Sequence, residues 1–209
     1  VSTLMLADMG ADVVKLENIR GGDDTRKQPL PSINGEPAAF MMMNRNKRGI
    51  VLDLKHPDGK AAFLKLVATA DVLVENYRHD TMAGLGLGYE VLKKTNPGLI
   101  YASITGFGRT GPFHDKGGFD LVAQGMSGLM SITGEAPGRP PVKVGAPMCD
   151  ITAGMLLAMG ILAAYTRKLK TGEGQMVDTS LFEAGIAHTY WQSAIAFATG
   201  VSPGPMGSA

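Results

Sequence analysis

Residues 71–104, DVLVENYRHDTMAGLGLGYEVLKKTNPGLIYASI, decide the fold. Asp71–Glu75 is an apolar run of strand length, and Leu99–Ile104 is another. Between them Gly84-Leu85-Gly86-Leu87-Gly88 reads as a turn and Tyr89–Lys94 as a short helix. Working outward, Ala11–Glu17 (ADVVKLE), Gly49–Leu54 (GIVLDL) and Gln175–Thr179 read as further strands. Residues 2–10 read as the tail of a helix ended by Gly10. Pro57 opens a helix whose apolar face carries Ala61, Phe63, Leu64, Leu66 and Val67. Phe119–Met130 is helical, Asp150 starts the longest helix, which ends near Lys170 before Gly172, and Leu181–Ala198 is the last helix. Residues 18–36, 105–118 and 132–149 are polar or Gly/Pro-rich and read as loops, and Ala38–Asn44 is a short apolar run. Strands that are apolar on both faces and alternate with helices predict an α/β protein, a Rossmann-like open parallel sheet flanked by helices.

Composition narrows the function classes. Of the 209 residues 44% are apolar and 19% charged, a globular balance remote from disordered or fibrous chains. Twenty basic against 19 acidic residues leave a net charge of +1, and the longest basic cluster is Arg45–Arg48. That is too little field to hold a nucleic-acid backbone. One cysteine, Cys149, excludes an internal disulfide and a cysteine zinc site, and His56, His79, His114 and His188 lack ligand spacing. Met155–Ala164 is too short to span a bilayer and reads as part of a core helix. No metal, nucleic acid or membrane is therefore expected, and a cytoplasmic location is. The chain opens inside a helical pattern without an initiator Met, which reads as a piece of a longer chain.

Several motifs invite chemistry. Gly106-Phe107-Gly108-Arg109-Thr110-Gly111 fits G-x-G-x-x-G after a strand, but Pro112 and His114-Asp115-Lys116-Gly117-Gly118 do not open a helix. No acid ends a following strand at dinucleotide spacing, so the stretch reads as a surface loop. No G-x-S-x-G elbow surrounds Ser127. Cys149, His114 and His188 read as structural. Asp150 stands between Gly145-Ala146-Pro147-Met148-Cys149 and the apolar Ile151-Thr152-Ala153-Gly154-Met155. A carboxylate there is either an N-cap or, ionised beside small residues that admit a ligand, a nucleophile toward an activated acyl group. Asn76-Tyr77-Arg78 follows a strand end, where open sheets bind ligands, and offers an amide, a ring and a guanidinium to a nucleotide; a solvated loop is the alternative. Lys55 is a similar, weaker candidate, and Asn44-Arg45-Asn46-Lys47-Arg48 reads equally as a phosphate contact or a solvated turn.

Taken in order, LADMGADVVKLE (6–17), NRNKR (44–48), LDLK (52–55), DVLVENYR (71–78), SITGFG (103–108), GFD (118–120), Asp150 with its helix and KTGEGQ (170–175) carry a resemblance along nearly the whole chain. The sequence resembles the family III CoA-transferases, the group of formyl-CoA transferase, the carnitine CoA-transferases and succinyl-CoA-dependent transferases. The resemblance implies that residues 1–200 are most of a Rossmann-like large domain, with 201–209 starting the linker to a smaller one. It implies a strand before residue 1, intertwined homodimers, and coenzyme A or acyl-CoA as substrate with no tightly bound cofactor. Asp150 matches the catalytic aspartate, which forms an acyl anhydride and then an aspartyl-CoA thioester. Leu52, Lys55, Asn76, Tyr77, Arg78, Gly117, Phe119 and Asp120 match CoA contacts. Gly84 and Gly117 lack the basic side chains of some members, with Lys116 beside the second, and Asn18 replaces an arginine. The related α-methylacyl-CoA racemases place a histidine where Phe119 stands, and Phe119 transfers no proton. A racemase and a catalytically incomplete CoA-binding fragment are the alternatives.

Overall fold

The computed structural model describes residues 1–27 and 31–207. Residues 28–30 of the expected 18–36 loop, and the last two residues of the expected linker, lie outside the described residues. The chain divides into two compact units. The first comprises residues 1–74, 82–101 and 161–176, and the second residues 75–81, 102–160 and 177–209.

The elements run α1 (Ser2–Asp8), β1 (Val13–Glu17), β2 (Ser32–Ile33), β3 (Glu36–Pro37), α2 (Ala38–Asn44), β4 (Lys47–Val51), α3 (Pro57–Thr69), β5 (Val72–Glu75), α4 (Thr81–Gly84) and α5 (Tyr89–Thr95). They continue as β6 (Ile100–Thr105), α6 (Asp120–Met126), α7 (Met148–Thr171), β7 (Met176–Ser180), α8 (Leu181–Ala187) and α9 (Tyr190–Thr199). Single 3-10 turns occupy Asp24–Arg26 and Met130–Ile132. The α/β class and parallel sheets flanked by helices agree with the sequence pattern. The strands form separate ladders. β1 pairs in parallel with β4, from Val13 opposite Lys47 to Glu17 opposite Val51. The order in the other main sheet is β5–β6–β7.

In the first unit Phe63 and Val67 of α3 pack with Met82, Leu87, Leu92, Leu99 and Tyr101, and Leu16 and Leu73 close on this core. Pro57 takes the first turn of α3, where a missing N–H leaves nothing unpaired. The smaller core of the second unit is Ala123, Cys149, Ala153, Leu181 and Ala184. Its small side chains let α6 and α8 approach closely: a Cβ added at Gly185 would stand 2.5 Å from Ser127 Oγ.

Several elements depart from the sequence pattern. Burial on both faces holds for β6, where Ile100, Ala102 and Ser103 are fully buried, but β1 and β4 keep exposed positions. β4 starts at Lys47 rather than Gly49 and ends at Val51 rather than Leu54. Its basic residues sit in the strand because acids flank it: Arg48 bonds Asp12 at 2.5 Å, and Arg45 just before it bonds Asp8 at 2.5 Å. Two cations of the basic cluster, Arg45 and Arg48, are thereby paired with acids. The helix expected over 119–130 stops at Met126, since Gly128 adopts φ +86°. The helix expected over 181–198 breaks at His188 and Thr189, where the buried Thr189 hydroxyl donates to Ile186 O at 3.0 Å. The 18–36 loop contains a 3-10 turn and the β2–β3 hairpin, and Ala38–Asn44 is helical.

α7 is long and apolar enough to cross a membrane by length and composition alone. It buries Ala153, Leu157, Ile161 and Ala164 at helical spacing, the stripe of a helix packed on protein.

Candidate active site

Asp150 lies in the first turn of α7, two residues after its start at Met148. The N-cap role that its position suggests is filled by another residue. Asp120, the first residue of α6, places Oδ1 against the end of α7 and accepts from the backbone N–H of Cys149 at 2.8 Å and of Asp150 at 3.2 Å. Two of the donors that a helix start leaves open are so satisfied from thirty residues away. The Asp150 carboxylate is left to face outward. The residue is exposed, and no side chain among the described residues hydrogen-bonds its carboxyl group.

Small residues flank Asp150 in the chain. Ala153 is fully buried beneath it, and a Cβ built on Gly145 meets nothing within 4 Å. The electrostatics run opposite to a simple helix-dipole argument. Partial removal of water by the surrounding protein, then the nearby Asp120 carboxylate, raise the Asp150 pKa above its usual value. The dipole argument treats the helix end as open; here another carboxylate already occupies it. Such a group is a more basic, and so more nucleophilic, carboxylate. Cys149, next to it, is fully buried, and burial followed by Asp120 and Asp150 pushes its thiol to about 11. It is not an activated thiolate.

One side chain that the sequence reading passed over organises this region. Gln124, one helical turn after Asp120, is fully buried. Its Nε2 donates to Asp120 Oδ2 at 2.6 Å and to Ala146 O at 3.4 Å, and its Oε1 accepts from the Val144 N–H at 2.9 Å. The only available signal was a glutamine four residues after an acid on a predicted helix.

Asn76, Tyr77 and Arg78 are exposed after β5, as a binding loop requires. Their backbone is anchored by Glu75, which is buried and accepts from Ser103 Oγ at 2.5 Å and from the Tyr77 N–H at 2.8 Å. Asn76 Nδ2 donates to Ile104 O at 2.7 Å, which leaves its side-chain oxygen to act as an acceptor. The Arg78 guanidinium lies over Gly117, with Nε 3.9 Å from where a Cβ would stand. Arg78 and Gly117 are therefore brought together, and the bare glycine leaves the guanidinium uncrowded. Phe119 is 78% exposed, a large ring presented to solvent beside Asp120. Asp120 itself is half-buried, and both its oxygens are engaged internally. Leu52 and Lys55 belong to the first unit. Leu52 packs on that unit's core, whereas Lys55 is exposed just after β4.

The G-x-G-x-x-G loop has a structural explanation. A Cβ on Gly106 would stand 2.6 Å from Gly118 N, so two glycines let the loop's ends touch backbone to backbone. Gly108 and Gly111 adopt φ +89° and +90°. No helix follows the motif until Asp120. Of the other histidines, His188 Nε2 and Thr152 Oγ1 share a hydrogen bond of 2.7 Å, and His79 packs edge-on to His114 at 4.8 Å between centroids. No cluster of three metal-ligating side chains occurs among the described residues.

The chain is similar to several known proteins. The succinate–glutarate CoA-transferase of Agrobacterium fabrum is 51% identical over 185 residues, covering 86% of this chain and 46% of that protein. The human succinyl-CoA:glutarate CoA-transferase is 40% identical over 186 residues, covering 89% of this chain and 42% of that protein. A crystal structure of a CAIB/BAIF family protein from Brucella suis superposes with a TM-score of 0.91 at 41% identity. It covers 97% of this chain and 54% of that one. The chain thus spans about half the length of the curated relatives it matches. The sequence profile of CoA-transferase family III matches residues 1–209, and the chain belongs to that family.

Proposed function

We propose that this chain is the larger part of the large domain of a CoA-transferase, which moves CoA from an acyl-CoA donor to a carboxylic acid with Asp150 as nucleophile. The observation that carries the reading is the freed carboxylate. Asp150 heads a helix whose cap is supplied by Asp120, so its oxygens face outward with no side-chain hydrogen bond among the described residues.

A carboxylate oxygen of Asp150 attacks the thioester carbonyl carbon. The tetrahedral intermediate collapses with cleavage of the C–S bond, giving a mixed anhydride and CoA thiolate. The thiolate adds to the Asp150 carbonyl, the anhydride C–O bond breaks, and the donor's carboxylate leaves behind an aspartyl-CoA thioester. An acceptor carboxylate runs the same steps in reverse and regenerates Asp150. No net proton or redox change is required, and one difficult exchange is divided into easier ones. Removing water from the aspartate strengthens it for the first attack.

Tyr77, Arg78, Gly117 and Phe119 supply ring, cation and open backbone for the CoA moiety, with Asn76 as an acceptor. Asp120 serves this reading through α7 rather than through a hydrogen bond to CoA. The names of the relatives support a dicarboxylyl-CoA such as succinyl-CoA as donor and a dicarboxylate as acceptor. Racemisation is disfavoured because the side chain at 119 has no titratable proton. The family resemblance and the exposed aromatic side chains of α9, Trp191 and Phe197 among them, support a homodimer of the full protein.

The test uses the full-length protein incubated with succinyl-CoA, trapped with hydroxylamine or borohydride and read by intact mass. A mass change mapped to Asp150, lost in Asp150→Ala together with transfer, is the expected result. Wild-type transfer by Asp150→Ala overturns the assignment. Release of an α-proton to solvent without any adduct favours the racemase instead.

A further inference from the structure

We infer that Gln124 is a positioning residue for the reaction at Asp150, locking the segment before α7 to the carboxylate that caps α7. The inference rests on the reading of Asp150 as nucleophile. Three observations lead to it. Gln124 is fully buried, an unusual place for an amide unless its hydrogen bonds are made. All of its polar capacity points to two features flanking Asp150. One is the irregular segment leading into α7, held at Val144 and Ala146; the other is Asp120, whose other oxygen holds the Cys149 and Asp150 amides.

The third observation is polarity. The amide must present NH₂ to a carboxylate and its oxygen to a backbone N–H, so only one orientation satisfies both sides. Turned over, oxygen would meet oxygen at Asp120 and NH₂ would meet N–H at Val144. Gln124 therefore fixes which way the Asp120 carboxylate points. With Oδ2 held by Gln124, Oδ1 is left on the helix end. Without that tether the Asp120 side chain gains rotational freedom, the helix end reopens, and Asp150 becomes the nearest substitute cap. A carboxylate folded back onto its own backbone is not available to an acyl group.

The experiment is single-turnover formation of the trapped Asp150 adduct in the full-length protein, alongside steady-state kinetics. Gln124→Met keeps the volume and loses all three hydrogen bonds. Gln124→Glu keeps the acceptor for Val144 and loses the donor to Asp120. Both are expected to lower the rate constant of adduct formation, and kcat with it, by about 10- to 100-fold, at full adduct amplitude and nearly unchanged KM for acyl-CoA. A role in folding alone would lower the amplitude, which counts intact sites, and leave the rate constant of the surviving sites untouched. That pattern overturns the proposal, as does a wild-type rate in either variant. Should Gln124→Met not accumulate as folded protein, Gln124→Glu decides by the same two quantities. Asp150→Asn, run in parallel, separates the two readings. Adduct formation by that variant removes the nucleophile assignment. Its absence, with normal rates in the Gln124 variants, removes only the positioning role.

Discussion

Replacing Asp120 with alanine removes the oxygen that caps α7, and the structure gives the size of the effect. Losing a capping acceptor costs about 0.5–2 kcal/mol. Here that acceptor serves two amides, at 2.8 and 3.2 Å. The fully buried Gln124 also loses its 2.6 Å partner and keeps only the weaker 3.4 Å bond to Ala146 O for that NH₂ group. An unsatisfied buried amide adds about 1–3 kcal/mol. Relief of repulsion between Asp120 and Asp150 acts in the other direction. The net expectation is a destabilisation of about 2–3 kcal/mol, near the upper range of ordinary single substitutions. Asp120→Asn keeps an acceptor for the helix and is expected to lose about half as much. Urea denaturation of the full-length protein at neutral pH, with the slope held common, measures both. An Asp120→Ala stability within about 0.5 kcal/mol of wild type would refute the capping argument.

Two further outcomes are expected. Gly106→Ala drives a Cβ to 2.6 Å from Gly118 N, so the backbone must move; it should cost about 1–3 kcal/mol, whereas Gly117→Ala, in ordinary contact at 3.9 Å, should melt near wild type. Equal melting temperatures for the two would contradict the close backbone approach. Burial pushes the Asp23 carboxyl up, but the hydrogen bonds from Lys15 and Thr25 and the Lys15 charge together outweigh it and pull it to about 2 from the usual 3.8. A depressed folded pKa stabilises above the unfolded value, so this contribution is complete above about pH 4 and fades as pH falls toward 2. Asp23→Asn should flatten the loss of stability across that window, and an unchanged slope would show that the pair contributes nothing.

The parts of the molecule readable from sequence are those set by neighbours along the chain. The strands at 72–75 and 100–105 and the helix opened by Pro57 follow local periodicity and punctuation, and each is found within a residue or two. The errors fall where distant residues intervene. β4 begins among basic residues, and Arg45 and Arg48 there pair with Asp8 and Asp12, some 36 positions away. α7 starts ahead of Asp150 because its cap comes from Asp120, a contact that no local window contains. For the same reason Asp150 could be singled out from its neighbours, but the choice between cap and free carboxylate could not be made there. For Gln124 the sequence offered only its spacing from Asp120, since a buried amide and an exposed one look alike in a string of letters. The break at Thr189 carries no glycine or proline to announce it.

The backbone contact between Gly106 and Gly118 has a consequence for how this protein can vary. It ties a knotless noose: residues 107–117 leave and return through a single neck, while β6 and α6 are anchored on either side of it. A chain whose ends are already fastened tolerates added length well, since doubling a flexible loop costs only about 0.6 kcal/mol. Insertions and exchanges can accumulate at the exposed Asp115 and Lys116 with little disturbance to the sheet or to the helix that carries Asp120. The segment is thus a natural cassette, where descendants of one scaffold, or a designer, can rewrite surface recognition while the chemistry behind it stays fixed.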